Sequence, residues 1–184
     1  MKTISQLIIT MMICLFSIQT WAQSGKLFNT DNQLSSNLAT QVFQDKSGFI
    51  WIATRNGLNN YDGYHITVIK KDMSNFLGLN SNYINSIAQD EKEHILLGTN
   101  NSLLEFTGSE FLKIPMLDSK GKELATYVKQ IYPLRNKDVA VATSGYGIML
   151  KKQDEQKCHA MKGEVEKLKY IHKLLEDKRG RLWI

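Results

Sequence analysis

An all-β fold is predicted by three observations. Residues 34–63 recur at 79–108 with a constant offset of 45 and no gap. Within each copy, short alternating apolar runs are cut by Asp- and Gly-bearing turns, the pattern of hairpin-connected strands. The chain has 184 residues, 42% hydrophobic, with only two Pro, so it is a folded unit without room for a Pro-rich linker. Four antiparallel strands in about 45 residues make one β-propeller blade. The expected architecture is an incomplete β-propeller of about 3.6 such blades, behind an N-terminal signal peptide.

The signal peptide comes first. Residues 1–6 carry Lys2 and no acid, residues 7–18 (LIITMMICLFSI) are an unbroken apolar run, and the small side chains Thr20 and Ala22 follow. A membrane-spanning helix needs about 20 apolar residues, so this run is too short to be one. A basic start, a short apolar core and a small-residue cleavage site describe a secretory signal over residues 1–22, cut between Ala22 and Gln23. The competing reading is a buried N-terminal helix. Bulky Met12 and Ile13 before Cys14 argue against a lipoprotein. The protein is therefore expected to be exported to the periplasm. Cys158 is then the only cysteine, without an intrachain disulfide partner.

Residues 23–33 are predicted as a lead-in strand, and blade 1 as 34–78. In it, 42–44 form strand one, and Asp45, Lys46, Ser47 and Gly48 a tight turn in which Asp caps backbone N–H groups and Gly supplies positive φ. Residues 49–54 form strand two, 58–61 strand three and 64–69 strand four, with Asp62-Gly63 as the last hairpin. Blade 2, at 79–123, repeats this with Leu79 on Leu34, Asn82 on Asn37, Asp90 on Asp45, Thr99 on Thr54 and Gly108 on Gly63. Blade 3, at 124–163, is degenerate: Thr143 lies 44 after Thr99, and the Asp turn becomes residues 135–138. Residues 164–184 begin a fourth copy, in which Asp177, Gly180 and Trp183 match Asp45, Gly48 and Trp51 at an offset of 132. Val165, Leu168, Ile171, Leu174 and Leu175 also fall at helical spacing, so a helix over 163–178 competes with that blade.

The string from Gln44 to Gly63 (QDKSGFIWIATRNGLNNYDG) resembles the two-component-regulator propeller repeat, and the lead-in Leu34, Ser35, Ser36, Asn37 resembles the opening of that family's first blade. Blades 2 and 3 depart from the pattern, with Leu96 and Ala140 in the place of Trp51. The resemblance implies the periplasmic sensor half of a hybrid two-component system, which detects oligosaccharides and controls a cytoplasmic histidine kinase and transcription. It also implies that further blades, a membrane helix and the kinase lie downstream. A chain stopping at Trp183-Ile184, inside strand two of a blade, then reads as an N-terminal fragment whose ring needs missing blades or a partner chain to close. Membrane contact would come only through a downstream segment.

Chemistry is sparse. There is no P-loop, nucleophile elbow, HExxH or dinucleotide fingerprint, so no catalytic residue, cofactor or enzymatic activity is expected in this chain. No two of His65, His94, His159 and His172 are four residues apart, and adjacent Cys158 and His159 point apart in a strand, so no metal site is expected. The Asp45–Gly48 turn offers one carboxylate, too few oxygens for calcium. His172 falls in register with Thr40 and Asn85 and is read as structural, and Trp51 as blade-to-blade packing. The ligand-binding residues stay unknown at this stage. Arg55, Asn59, Asn60, Asn100, Asn101 and Tyr146 are the candidates on turns able to bond or stack on a sugar.

Residues 118–184 hold 15 basic and 9 acidic residues, against 7 and 9 in 23–117. The acids are interspersed among the lysines, which predicts a solvated surface and no nucleic-acid partner. The alternatives to a sensor fragment are an exported lectin or scaffold that completes its ring by oligomerising, a propeller glycosidase or lyase, and a non-functional gene remnant.

Overall fold

Alternating side chains and tight turns produce the expected hairpins, as seen in a computed structural model that describes residues 25–71 and 78–184. The signal segment and its Ala22–Gln23 cleavage site lie outside the described residues. Blade 1 is a four-stranded antiparallel meander: β1 (Ala39–Gln44), β2 (Ile50–Thr54), β3 (Gly57–Tyr61) and β4 (Ile66–Ile69). Blade 2 repeats it with β5 (Ile84–Gln89), β6 (Ile95–Thr99), β7 (Leu103–Phe106) and β8 (Phe111–Ile114). Strand one starts three residues before the position expected from sequence, and strand four two residues after.

Two expectations about boundaries need correction. Residues 25–29 form no strand, and Thr30–Asn32 is a 3-10 turn. Here the backbone donors bond to local side chains: Asp31 N–H to Asn29 Oδ1 at 3.0 Å and Thr30 N–H to Asn37 Oδ1 at 2.8 Å. Such Asx bonding competes with a ladder. Second, blade 2 does not extend to 123. The hairpin of β9 (Met116–Leu117) and β10 (Glu123–Leu124) joins the third sheet, beside β11 (Tyr127–Pro133), β12 (Val139–Ser144), β13 (Ile148–Lys151) and β14 (Cys158–Ala160), in the order β10-β9-β14-β13-β12-β11. Pro115 has no N–H with which to continue β8. Its carbonyl instead accepts the Cys158 N–H at 2.8 Å, and Met116 is buried among Met149, Cys158 and Leu124.

The fourth copy begins as a strand pair, β15 (Leu175–Glu176) with β16 (Leu182–Trp183). The competing helix is reduced to a 3-10 turn at Glu164–Lys167, and Tyr170 bridges to Ser144 instead. Among the described residues, no helix is long and apolar enough to cross a membrane.

The repeated residues now have physical roles. Thr54 and Thr99 end strand two, Thr143 stands one residue before its end, and each donates Oγ1–H to a carbonyl just beyond the following turn or within it, at Gly57, Ser102 and Gly147. The corner between strands one and two needs positive φ in every copy: Gly48 at 92° and Gly180 at 75°, with Glu93 at 67° and Lys137 at 74° in the equivalent places. Glycine adopts this region freely, whereas Glu93 and Lys137 take it at a cost in backbone strain. Trp51 is 6% exposed, edge-on to Phe106 and packed among Ile87, Leu97 and Leu104, which is the interblade role expected of it.

First strands pack on first strands, β1 on β5 and β5 on β11, so they form the inner wall. Each carries a β-bulge that leaves one residue unpaired: Thr40 in β1, Asn85 in β5 and Lys129 in β11. The residue after each bulge reaches the next blade. Gln41 bonds both backbone groups of Ile87 (Ile87 N–H to Oε1 3.0 Å, Nε2 to Ile87 O 2.7 Å). Ser86 Oγ accepts the Ile131 N–H at 3.0 Å, and Gln130 repeats the two-sided bond on Leu174. Ile87, Ile131 and Leu174 occupy the same repeat position, so one device covers the inner edge of three successive blades.

Candidate functional site: a cationic, tyrosine-lined groove at the blade mouth

Bulges re-aim side chains, and the three here turn Thr40, Asn85 and Lys129 towards one end of the inner wall. They line a groove of about 420 Å³, together with Arg55, Tyr83, Tyr127, His172 and Lys173. Most of the groove's members fall in two sets of repeat equivalents, of which Tyr170 alone lies outside the lining. Thr40, Asn85, Lys129 and His172 form one set, and Leu38, Tyr83, Tyr127 and Tyr170 the set two residues earlier. His172 is thus in the register expected, but it is an exposed groove residue rather than a packing one.

Cations and aromatic rings alternate along the wall. The Arg55 guanidinium lies 5.6 Å over the Tyr83 ring, Tyr83 meets Tyr127 edge-on at 6.0 Å, and Lys129 Nζ lies 4.2 Å over Tyr127. Cation–π attraction of this kind contributes about 0.5–1 kcal/mol at exposed sites and fixes the rings as well as the charges. The Tyr127 hydroxyl donates to Asn85 Oδ1 at 2.6 Å. Burial, aided by the Tyr83 hydroxyl, pushes its pKa up to about 12, so it stays a neutral donor at physiological pH. Asn85 Nδ2 is the buried side-chain polar atom left without a partner among the described residues. A buried donor without a partner is costly, which makes this amide a ready donor to an incoming acceptor. Among the described residues, no Asp or Glu lines the groove.

The turn residues singled out from sequence divide sharply. Arg55 lines the groove. Asn59 is fully buried and spent on structure, its Nδ2 donating to Ser35 Oγ and Ile52 O and its Oδ1 accepting the Ser35 N–H. Asn60 lines a separate apolar cavity of about 330 Å³ with Trp51, Ile69 and Phe106, between blades 1 and 2. Asn100 accepts from Ser81 Oγ, Asn101 closes its own turn against Thr99, and Tyr146 is an exposed turn residue outside the groove. Tyr83, Tyr127 and Lys129 were not singled out from sequence. Their signal was the repeat register itself, which sets Tyr83 and Tyr127 in one column of the inner wall and Lys129 in the column two residues later.

A second group converges at the opposite end of blade 2. Asp90, at the strand-one corner, His94 and Glu105, on β7, offer ligand atoms that lie within 4.8 Å of one another. Here too sequence reasoning expected nothing, because Glu105 approaches His94 only through the β6–β7 pairing.

The family model described as two component regulator propeller matches residues 33–56 and 78–101, the lead-in and first two strands of blades 1 and 2. Among curated proteins none matches the sequence. Among solved structures, the extracellular domain of BT4673 from B. thetaiotaomicron, described as a one component system, superposes with a TM-score of 0.70 at 16% identity, over 87% of this chain and 24% of that one. Another structure of the BT4673 extracellular domain, described as belonging to a hybrid two component system, gives 0.66 at 17% identity, over 80% and 22%. The extracellular domain of BT3049 from the same organism, also described as from a hybrid two component system, gives 0.53 at 14% identity, over 86% and 28%. This chain therefore spans about a quarter of the length of these neighbours. Identities this low establish the fold alone. Residues 33–56 and 78–101 thus match the two-component-regulator propeller repeat, and the chain is folded as successive blades of a β-propeller.

Proposed function

We propose that this chain is part of an exported sensor propeller whose mouth binds an acidic oligosaccharide, and that binding biases a histidine kinase borne by the complete protein. The observation that carries the reading is the groove: Arg55, Lys129 and Lys173 beside the edge-on pair Tyr83 and Tyr127, with no carboxylate lining it among the described residues. Aromatic faces suit the apolar faces of sugar rings. Fixed cations in a concave site raise the local concentration of anions and give charge-assisted bonds to carboxylate or sulfate groups. The segment itself binds rather than catalyses, and further blades complete the ring. Ligand-biased geometry of that ring is what passes to the kinase.

Calorimetry of the purified chain against uronate-containing, sulfated and neutral oligosaccharides tests the binding half. An acidic glycan is expected to bind with an affinity that falls as salt rises, and Tyr83→Ala and Lys129→Ala each to weaken it at least about tenfold. Binding confined to neutral glycans, or acidic binding indifferent to both substitutions, overturns the reading. The signalling half is tested by glycan-dependent autophosphorylation of the polypeptide that carries this segment in cells.

A further inference from the structure

At the corner between strands one and two, blade 2 departs from the pattern that blade 1 and the fourth copy share. In blade 1, Asp45 takes the Phe49 N–H on Oδ1 at 3.0 Å and the Trp51 indole N–H on Oδ2 at 2.7 Å. Asp177 repeats both bonds, with the Arg181 N–H at 3.0 Å and the Trp183 indole at 3.1 Å. Asp90 keeps only the first, from the His94 N–H at 2.9 Å, because Leu96 stands in the tryptophan position and has no donor. The same register sets His94 where blade 1 has Phe49, and Glu105 where it has Asn60. Three substitutions in one small volume exchange an indole and an amide for an imidazole and a second carboxylate.

The resulting geometry is that of a ligand set. His94 Nδ1 lies 2.6 Å from Glu105 Oε1 and 3.7 Å from Asp90 Oδ2. Asp90 is 6% exposed and Glu105 2%, while His94 keeps an edge towards solvent. Two buried carboxylates thus face a single imidazole, and the ion pairs they form among the described residues both run to His94. Their combined charge exceeds anything one imidazolium can neutralise, and buried charge demands a partner. We infer that Asp90, His94 and Glu105 bind a divalent transition-metal ion, with the His94 side open to water as a further ligand. One imidazole nitrogen with two carboxylate oxygens suits Zn²⁺ or Mn²⁺, whereas Ca²⁺ and Mg²⁺ favour all-oxygen shells of six or more. The ion ties the strand-one corner to β7, replacing the indole bond that holds the corner in blade 1. The site is separate from the groove, which lies at the other end of the blades.

The test uses the untagged, chelator-treated chain titrated with ZnCl₂ and then MnCl₂ by calorimetry, with thermal unfolding followed in parallel. One ion per chain is expected, with a raised melting temperature that EDTA reverses. Glu105→Gln and His94→Phe should each weaken uptake at least about tenfold, since each removes one of three protein ligands. His94→Phe installs the residue that blade 1 carries at a partly exposed position, and so keeps the test valid if Glu105→Gln fails to fold. Uptake equal in the parent and the folded variant would assign binding to His65, His159 or His172 and overturn the inference. So would no uptake of either metal by a folded parent chain.

Discussion

Replacing Gln41 with Ala isolates the device that joins the blades. Ile87 lies on the inner edge of β5, so its backbone N–H and C=O point away from β6, and Gln41 satisfies both, at 3.0 and 2.7 Å. Ile87 is 1% exposed, so solvent replaces those bonds poorly. Each bond contributes about 1 kcal/mol net, and a buried backbone group stripped of its partner costs about 1–3 kcal/mol. Partial access of water from the inner wall brings the expected loss to about 2–4 kcal/mol. For a urea slope of about 2 kcal/mol/M, the unfolding midpoint should fall by about 1–2 M. Two further variants set the order. Gln41→Glu keeps an acceptor for the N–H but sets a carboxylate against the Ile87 carbonyl, and should lose about half as much. Ser86→Ala removes a single bond, to the Ile131 N–H, and should cost about 1–2 kcal/mol. Gln41→Ala within about 0.5 kcal/mol of the parent, the range of an ordinary surface change, would refute the clamp.

Three other outcomes follow from the same packing. A Cβ at Gly98 would sit 2.5 Å from Val128 Cγ1, so Gly98→Ala should destabilise by about 1–3 kcal/mol in urea unfolding, and Val128→Ala should recover part of that loss in the double variant. Burial pushes the Cys158 thiol up to about 12, so iodoacetamide should leave it unmodified in the native chain and label it once the chain is unfolded, as read by peptide mass. The Arg181 backbone N–H, with help from the Trp183 and Arg181 side chains, holds Asp177 at about 2, against an ordinary 3.8. A depressed carboxylate stabilises above its unfolded pKa and loses that contribution as pH falls through the folded one. The difference in melting temperature between the parent and Asp177→Ala should therefore hold steady from neutrality down to about pH 4 and shrink towards pH 2.

The strands and turns were legible because they depend on local rules that most copies restate in part. Asp at the corner, Thr at the end of strand two and an indole between them recur in register, and each proves to hold a specific bond. The pairing of β9 with β14 was not legible, because it is a parallel contact across some 40 residues and belongs to no repeat position. Nor was the groove. Reading strand one by simple alternation assigns faces correctly only without a bulge, and the extra residue in β1, β5 and β11 moves Thr40, Asn85 and Lys129 out of phase with the strand that follows.

That failure indicates where function resides in such a chain. Positions on which the copies agree are held by the blade itself: Thr54, Thr99 and Thr143 close the same hairpin three times and have little freedom left to recognise anything else. Positions on which they differ within one register have no shared structural duty. The column Thr40, Asn85, Lys129, His172 changes side-chain chemistry at every step, and it lines the groove. At the other end, the loss of the indole at Leu96 coincides with His94 and Glu105, and Glu105 would be buried without an ion-pair partner if His94 were absent. Substitutions that make sense only together are evidence of a site rather than of drift. A repeat fold therefore offers its own internal comparison: the shared residues account for the blade, and the coordinated departures from them point to what the blade holds.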